Sequence, residues 1–247
     1  MSGHSKWSTI KRQKGANDAK RGQAFTKAGN AITVAAREGG GNTETNFKLR
    51  LAVDAARAVN MPKENIERAI ARASGAGDGK ALEEVVYEGY GPSGVAVMIE
   101  AVTDNKVRTA SEVRSVLERS GGSLAGPGSV AFLFKSVAAL DVKGKNADEI
   151  MLAAAEAGAD DVEESGEVVT VYTSQDELER IKKALTEQGL EIARWEVTKE
   201  ASSQVKIEER GKAESVINLV NKLEEVVDVQ KVYANFDIEE KILEEVA

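Results

Sequence analysis

The hydrophobic period changes at Ser74-Gly75-Ala76-Gly77-Asp78-Gly79, and that change limits the architectures open to this 247-residue chain. Before it, apolar residues recur every three or four positions, the spacing of a helix face. After it they alternate or run in short blocks, bounded by Gly and Pro, as strands do. Helices first and then interleaved strands and helices define an α+β chain with a helical bundle in front.

Asn17-Asp18 offers a helix start, and Phe25, Ala28, Ile32 and Ala36 form one stripe until Gly39-Gly40-Gly41 stops it. A second helix is expected with Phe47, Leu51, Ala55 and Val59 inward and Asn60 closing it, and a third from Pro62 with Ile66, Ala69, Ile70 and Ala73 inward. Beyond the glycine-rich linker, strands are expected at Glu84–Tyr87 and Val95–Val102. A helix with Val107, Ala110, Val113 and Leu117 inward follows, then a strand at Val130–Phe134. From Val137 the order is βαββαβ: strands at Val137–Val142, Asp161–Glu163, Val168–Thr173 and Leu190–Val197, helices at Ala147–Ala157 and Gln175–Gln188. This is the ferredoxin-like order and is complete by itself. The remainder, strand Gln204–Ile207, helix Lys212–Leu223 and strand Val227–Phe236, is too short to bury a core alone. Joined to the first ββαβ set it completes a second such sheet, although chain order alone also allows a fourth small unit. The expected domains are therefore 1–78 (helical, with an N-terminal arm), 79–135 plus 204–247 (discontinuous), and 136–203 (inserted).

Charge divides the same way. Residues 1–80 hold 15 Lys and Arg against 7 Asp and Glu, while the rest holds 18 against 34. A positive head on a negative body presents only one end to a polyanion. The head's cations are concentrated at Lys6, Lys11, Arg12, Lys14, Lys20, Arg21 and Lys27, with Asp18 as the one acid among them. Met1–Ala16 has no apolar periodicity and reads as an extended arm, flexible until it meets a partner. These residues are the candidates for phosphate contacts, each releasing counterions on binding. Trp7 among the lysines either stacks on a base or anchors the arm on the bundle. Tyr87 and Tyr90, beside a glycine turn, are either platforms of the same kind or cross-strand packing. Few side chains on the first helix suit base edges beyond Gln23 and Asn30, which favours backbone or shape recognition.

Catalytic chemistry finds little support. Cysteine is absent and His4 is the one histidine, so a zinc site or a nucleophile–histidine pair lacks its parts. Gly89-Tyr90-Gly91 and Gly126-Pro127-Gly128 lack the Lys-Ser/Thr of a phosphate loop. No cofactor, metal or enzymatic activity is expected. No apolar run approaches the roughly 18 residues of a membrane span, and the N-terminus lacks the apolar core of a secretory signal. A basic, acid-poor start also fits a mitochondrial presequence, but a cytoplasmic monomer is the expectation.

Gly3-His4-Ser5-Lys6-Trp7, Asp18-Ala19-Lys20-Arg21-Gly22, Phe25-Thr26-Lys27, Asn60-Met61-Pro62-Lys63 with Asn65-Ile66-Glu67-Arg68-Ala69-Ile70, Tyr87-Glu88-Gly89-Tyr90-Gly91-Pro92 and Thr103-Asp104-Asn105 together resemble the YebC family. The match runs in order from Gly3 to at least Phe134. The resemblance implies a three-domain protein, helical in front, with one αβ domain inserted in another and no enzyme activity or cofactor. It implies a DNA-binding transcriptional regulator, or alternatively a translation factor binding ribosomal RNA on the ribosome. The acidic αβ domains would then face protein partners. Gly3 already belongs to the matching domain, which weighs against the presequence.

Overall fold

The structure is a computed structural model that describes Trp7 and residues 18–73, 81–143, 146–165 and 168–246. Trp7 is helical, not extended as expected of the arm, and three helices follow among the described residues: α1 (Asp18–Gly39), α2 (Phe47–Ala58) and α3 (Lys63–Ala73). Ile32, Ala35 and Ala36 of α1 meet Leu49, Val53 and Ala56 of α2 and Ile66 and Ala69 of α3 in one buried cluster. Small side chains bring the helices close enough for polar ties between them. Thr33 Oγ1 donates to Ala69 O at 3.0 Å. Asn46 caps α2 through its Oδ1, which accepts from Leu49 N, and its Nδ2 donates back to Ala35 O and Gly40 O at 2.7 and 2.8 Å. A Cβ on Gly39 would lie 2.6 Å from that amide, so the close turn requires glycine there. Asn60, at φ 59°, closes α2.

The expected inward face of α2 requires correction. Leu49, Val53 and Ala56 are buried, whereas Phe47 and Val59 are exposed. The helix has two apolar sides because it has two neighbours: the Phe47 ring lies 5.9 Å from that of Trp195 in the inserted domain.

Beyond the helices come β1 (Glu83–Tyr90), β2 (Ala96–Thr103), α4 (Lys106–Arg119) and β3 (Ser123–Ala125). The inserted unit is β4 (Phe134–Lys143), α5 (Ala147–Ala157), β5 (Asp161–Ser165), β6 (Val168–Thr173), α6 (Leu178–Glu187) and β7 (Glu191–Ala201). The chain ends with β8 (Val205–Ile207), α7 (Arg210–Glu224), β9 (Val229–Ala234), β10 (Phe236–Ile238) and α8 (Glu240–Val246). The fold is thus a helical bundle followed by two ferredoxin-like domains, one inserted in the other. The inserted sheet runs β5-β6-β4-β7 and the central sheet β3-β1-β2-β9, both antiparallel throughout. Both have one spatial plan. In the central sheet the strand at the inner position next to β3 comes first in the chain, so its connectivity is permuted. Its helices α4 and α7 cover one face, burying Val113, Leu117, Val216, Leu219, Val220 and Leu223 against Val97, Ile99 and Val232.

Three other expectations are revised. Val130–Phe134 is not a strand: Ala131–Leu133 is a short 3-10 turn, and the third central strand is Ser123–Ala125. The cause is Glu88, buried on β1, whose carboxylate accepts from Gly128 N, Val130 N and Ala131 N at 2.6, 2.6 and 2.8 Å, the donors that a ladder would have used. Val107 does not point inward but is 81% exposed. Thr109 is buried instead, its hydroxyl bonded to Thr103 Oγ1 and Asp228 Oδ2, and a periodicity that counts apolar residues passes over it. The strand expected at Val227–Phe236 breaks at Asn235, whose Oδ1 accepts from Ala96 N at 2.7 Å and whose Nδ2 donates to Ser203 O at 3.1 Å. β10 therefore leaves the central sheet and pairs in parallel with β8, and α8 follows without having been expected.

Two buried carboxylates carry opposed influences. Burial alone would raise the Glu88 pKa, but its three backbone donors outweigh that and hold it below the ordinary carboxylate value. Burial likewise acts against Asp228, but the Thr109 hydroxyl, the Arg108 guanidinium and the Thr103 hydroxyl hold it low. A depressed folded-state pKa gives stability that is full above the unfolded value, about 4, and is lost as pH falls through the lower folded one. We predict a melting temperature insensitive to Glu88 between neutral pH and about 5, then an acid fall below about 4. In Glu88→Gln that fall should be shallower and the neutral-pH melting temperature lower, as read by circular dichroism. An unchanged acid limb would contradict the assignment.

Candidate nucleic-acid interface

The helical head is held on the central domain through polar side chains of α1 and α2. Lys27 Nζ donates to Glu224 O and Gln23 Nε2 to Glu225 O, at the C-terminal end of α7. That end carries unsatisfied carbonyls and the negative pole of the helix, so a cation and an amide satisfy it well. Arg37 Nη1 donates to Leu82 O at 3.1 Å, just before β1. Lys48 Nζ lies 2.6 Å from Glu38 and 2.7 Å from Glu84, joining α1, α2 and β1. Burial works against its charge, but the two carboxylates prevail and raise its pKa.

The candidate phosphate ligands therefore divide. Lys6, Lys11, Arg12 and Lys14 lie outside the described residues. Lys20 and Arg21 sit in the first turn of α1, and only their backbone is described. The ammonium of Lys27 is engaged with the C-terminus of α7, and Gln23, a candidate reader of base edges, is occupied at the same place. Trp7 is 4% exposed and belongs to the core of the central domain, in the cluster of Val95, Val97, Leu219 and Phe236. Its ring face is not open to a base. It anchors the arm, and on the central domain instead of the bundle. Its Nε1 finds no acceptor among the described residues. Tyr87 is half-buried with its hydroxyl donating to Lys106 O at 3.0 Å, whereas Tyr90 is 38% exposed and its hydroxyl donates to Ser129 O at 3.2 Å.

The sequence reading passed over Arg68 and Arg72. They lie one turn apart on the exposed side of α3 and make no ion pair among the described residues. Their i,i+4 spacing opposite the stripe of Ile66 and Ala69 was the available signal. Elsewhere most cations are paired: Lys106 with Glu83, Arg108 with Asp104 and Asp228, Arg210 with Glu214 and Glu245, Lys231 with Glu196. Among the described residues no group of three or more His, Cys, Asp and Glu side chains is placed to hold a metal ion. No described helix is long and apolar enough to cross a membrane.

A cationic head pinned to a larger acidic α+β body is the class of protein that these features define. Comparison with known proteins gives the family. Residues 5–76 match the TACO1/YebC protein N-terminal domain and residues 82–236 the TACO1/YebC second and third domain. The chain belongs to the TACO1/YebC family. Among curated relatives, proteins named "Probable transcriptional regulatory protein" are 48% identical over 247 residues in Dictyoglomus thermophilum, covering 99% of each chain. Another, from Rubrobacter xylanophilus, is 49% identical over 250 residues, covering 100% of each. The crystal structure of a conserved hypothetical protein from Aquifex aeolicus superposes with a TM-score of 0.82 at 45% identity, over 90% of this chain and 93% of that one.

Anchoring and base stacking by Trp7 have different consequences. As a buried core residue, Trp7→Ala should lower unfolding stability by about 3 kcal/mol or more, measured by urea denaturation. A ring serving only to stack on a base would leave stability unchanged.

Proposed function

We propose that this chain is a nucleic-acid-binding regulator of gene expression that holds phosphates with its cationic head. Family membership and the relatives' names support a transcriptional-regulatory role. In this reading Lys6, Lys11, Arg12, Lys14, Lys20 and Arg21 neutralise phosphates, and Arg68 and Arg72 extend the surface. Trp7, which lies before Lys11, Arg12 and Lys14 in the chain, and α1, which follows them, are both held on the central domain. Lys27 belongs to the scaffold. The observation that carries the proposal is the charge division: 15 cations against 7 acids up to residue 80, 18 against 34 beyond it. The DNA-binding form of the reading takes a duplex operator as target. The acidic αβ domains remain available to protein partners.

One observation favours a second target. Gln23 is occupied at the end of α7, which leaves Asn30 as the remaining base-edge candidate on α1. Recognition of backbone and shape then dominates, and it serves folded ribosomal RNA as well as duplex DNA. A translational activator acting at the ribosome is accordingly the alternative.

Replacing Lys11, Arg12 and Lys14 together with Glu should abolish binding to duplex DNA and to a ribosomal RNA helix in fluorescence anisotropy. The neutral triple Gln variant should flatten the log–log salt dependence on DNA by up to about 2.7, at about 0.9 per phosphate contact. Wild-type affinity in both variants would overturn the proposal. A sequence-specific footprint surviving competitor DNA supports transcription, and salt-labile co-sedimentation with ribosomes supports translation.

A further inference from the structure

Phe132 is 74% exposed, the most exposed aromatic side chain among the described residues. Nothing about its mount is loose. The Glu88 carboxylate holds the N–H groups of Gly128, Val130 and Ala131. Val130 is fully buried. Leu133 N donates to Val130 O at 2.9 Å, and Leu133 O accepts from Ser202 N at 2.7 Å. The ring is thus held outward on a turn whose backbone groups on both sides are fixed.

The surroundings are unusual for this chain. Ser120 to Phe134 contains no Asp, Glu, Lys or Arg, in a protein where 30% of residues are charged. Within that run Gly121, Ser123, Gly126, Pro127 and Gly128 are exposed, as Phe132 is. Gly91, Pro92, Ser93 and Gly94, also uncharged, adjoin the run through the close approach of Gly122 to Gly91. On a body otherwise rich in carboxylates, the strip's own residues carry none, and the Glu88 carboxylate beneath it is buried and filled by three N–H groups. A protein-binding anchor would instead lie in a wider apolar patch closed by a rim.

We infer that Phe132 is a stacking platform for an unpaired nucleobase, a second contact point remote in sequence from the cationic head. The inference rests on the nucleic-acid reading above and adds to it a preference for single strands. Every base has a π-face, so a ring of this kind recognises single-stranded character without reading sequence. The head supplies the salt-dependent part of affinity, and the ring supplies a part independent of salt.

The test compares oligoadenylate with its duplex with oligouridylate, for wild type, Phe132→Ala and Phe132→Trp, by anisotropy across a salt series. Phe132→Ala should weaken binding of the single strand by about 5-fold or more, leaving duplex affinity and the salt slope unchanged. Phe132→Trp should restore the single-strand affinity. Because the side chain is exposed, the melting temperature should not move, which separates loss of contact from loss of fold. Equal weakening on both nucleic acids, or none on the single strand, overturns the inference while leaving the head's role intact. In the second case, sedimentation of wild type beside the variant would show whether the ring serves a second copy of the chain. Wild-type protein that binds neither nucleic acid overturns both.

Discussion

The three N–H groups converging on Glu88 fix the point from which the inserted domain departs. A carboxylate buried without a cation is costly unless its lone pairs are filled. Here Gly128, Val130 and Ala131 fill them, and the segment leading to β4 cannot move without exposing the charge. The returning segment is fixed by an uncharged counterpart. Asn235 takes Ala96 N and Ser203 O with its side chain, while its own carbonyl accepts from Val205 N. Between these clamps Phe134 and Ala201 pair at the base of the inserted sheet. β7 then passes close to β9, where Lys231 reaches Glu196 and Val197 O, and Tyr233 reaches Glu100. Burial first, and then Glu100 and Glu196, raise the Tyr233 pKa, so its hydroxyl remains a donor in this contact.

The same logic docks the head. A helix C-terminus buried against another domain needs donors for its last carbonyls, and α7 receives them from Lys27 and Gln23 on α1. The orientation of the cationic head is therefore set by the helix that also roofs the central sheet. Trp7, sunk in that sheet's core, ties the start of the chain to the same body.

Much of this was legible in the residues because it depends on periodicity and on the breakers. The change of period at Ser74–Gly79, the βαββαβ run and the return of the last strand to the first sheet all follow from alternation, helix length and glycine placement. What escaped was decided by polar groups acting at long range in the chain. Glu88 turns Val130–Phe134 from strand to turn across some forty residues of sequence, and Asn235 ends a strand that its β-branched neighbours would have continued. Thr109 fills a core position that apolar counting gave to Val107. The second apolar side of α2 was visible as letters, but only Trp195 in the fold explains it. The sequence marked the basic cluster as the candidate interface. It had no means of showing that Lys27 and Gln23 are engaged with the C-terminal end of α7.

The two halves of the charge pattern act at different ranges. At physiological salt, screening confines a fixed charge to about 8 Å, so the acidic domains do not cancel the head. They act where a bound chain would touch them. A polyanion seated on the head would meet exposed carboxylates over much of the body, whereas Ser120–Phe134 contributes none of its own and the Glu88 carboxylate under it is buried. Neutrality there costs the protein solubility that its charge elsewhere supplies, and an exposed ring adds to that cost. A surface that only needed to be wet would carry lysines and glutamates, as the rest of this body does. Fifteen consecutive uncharged residues, on a backbone pinned by a buried carboxylate, suit the contact with a flat, uncharged base inferred above.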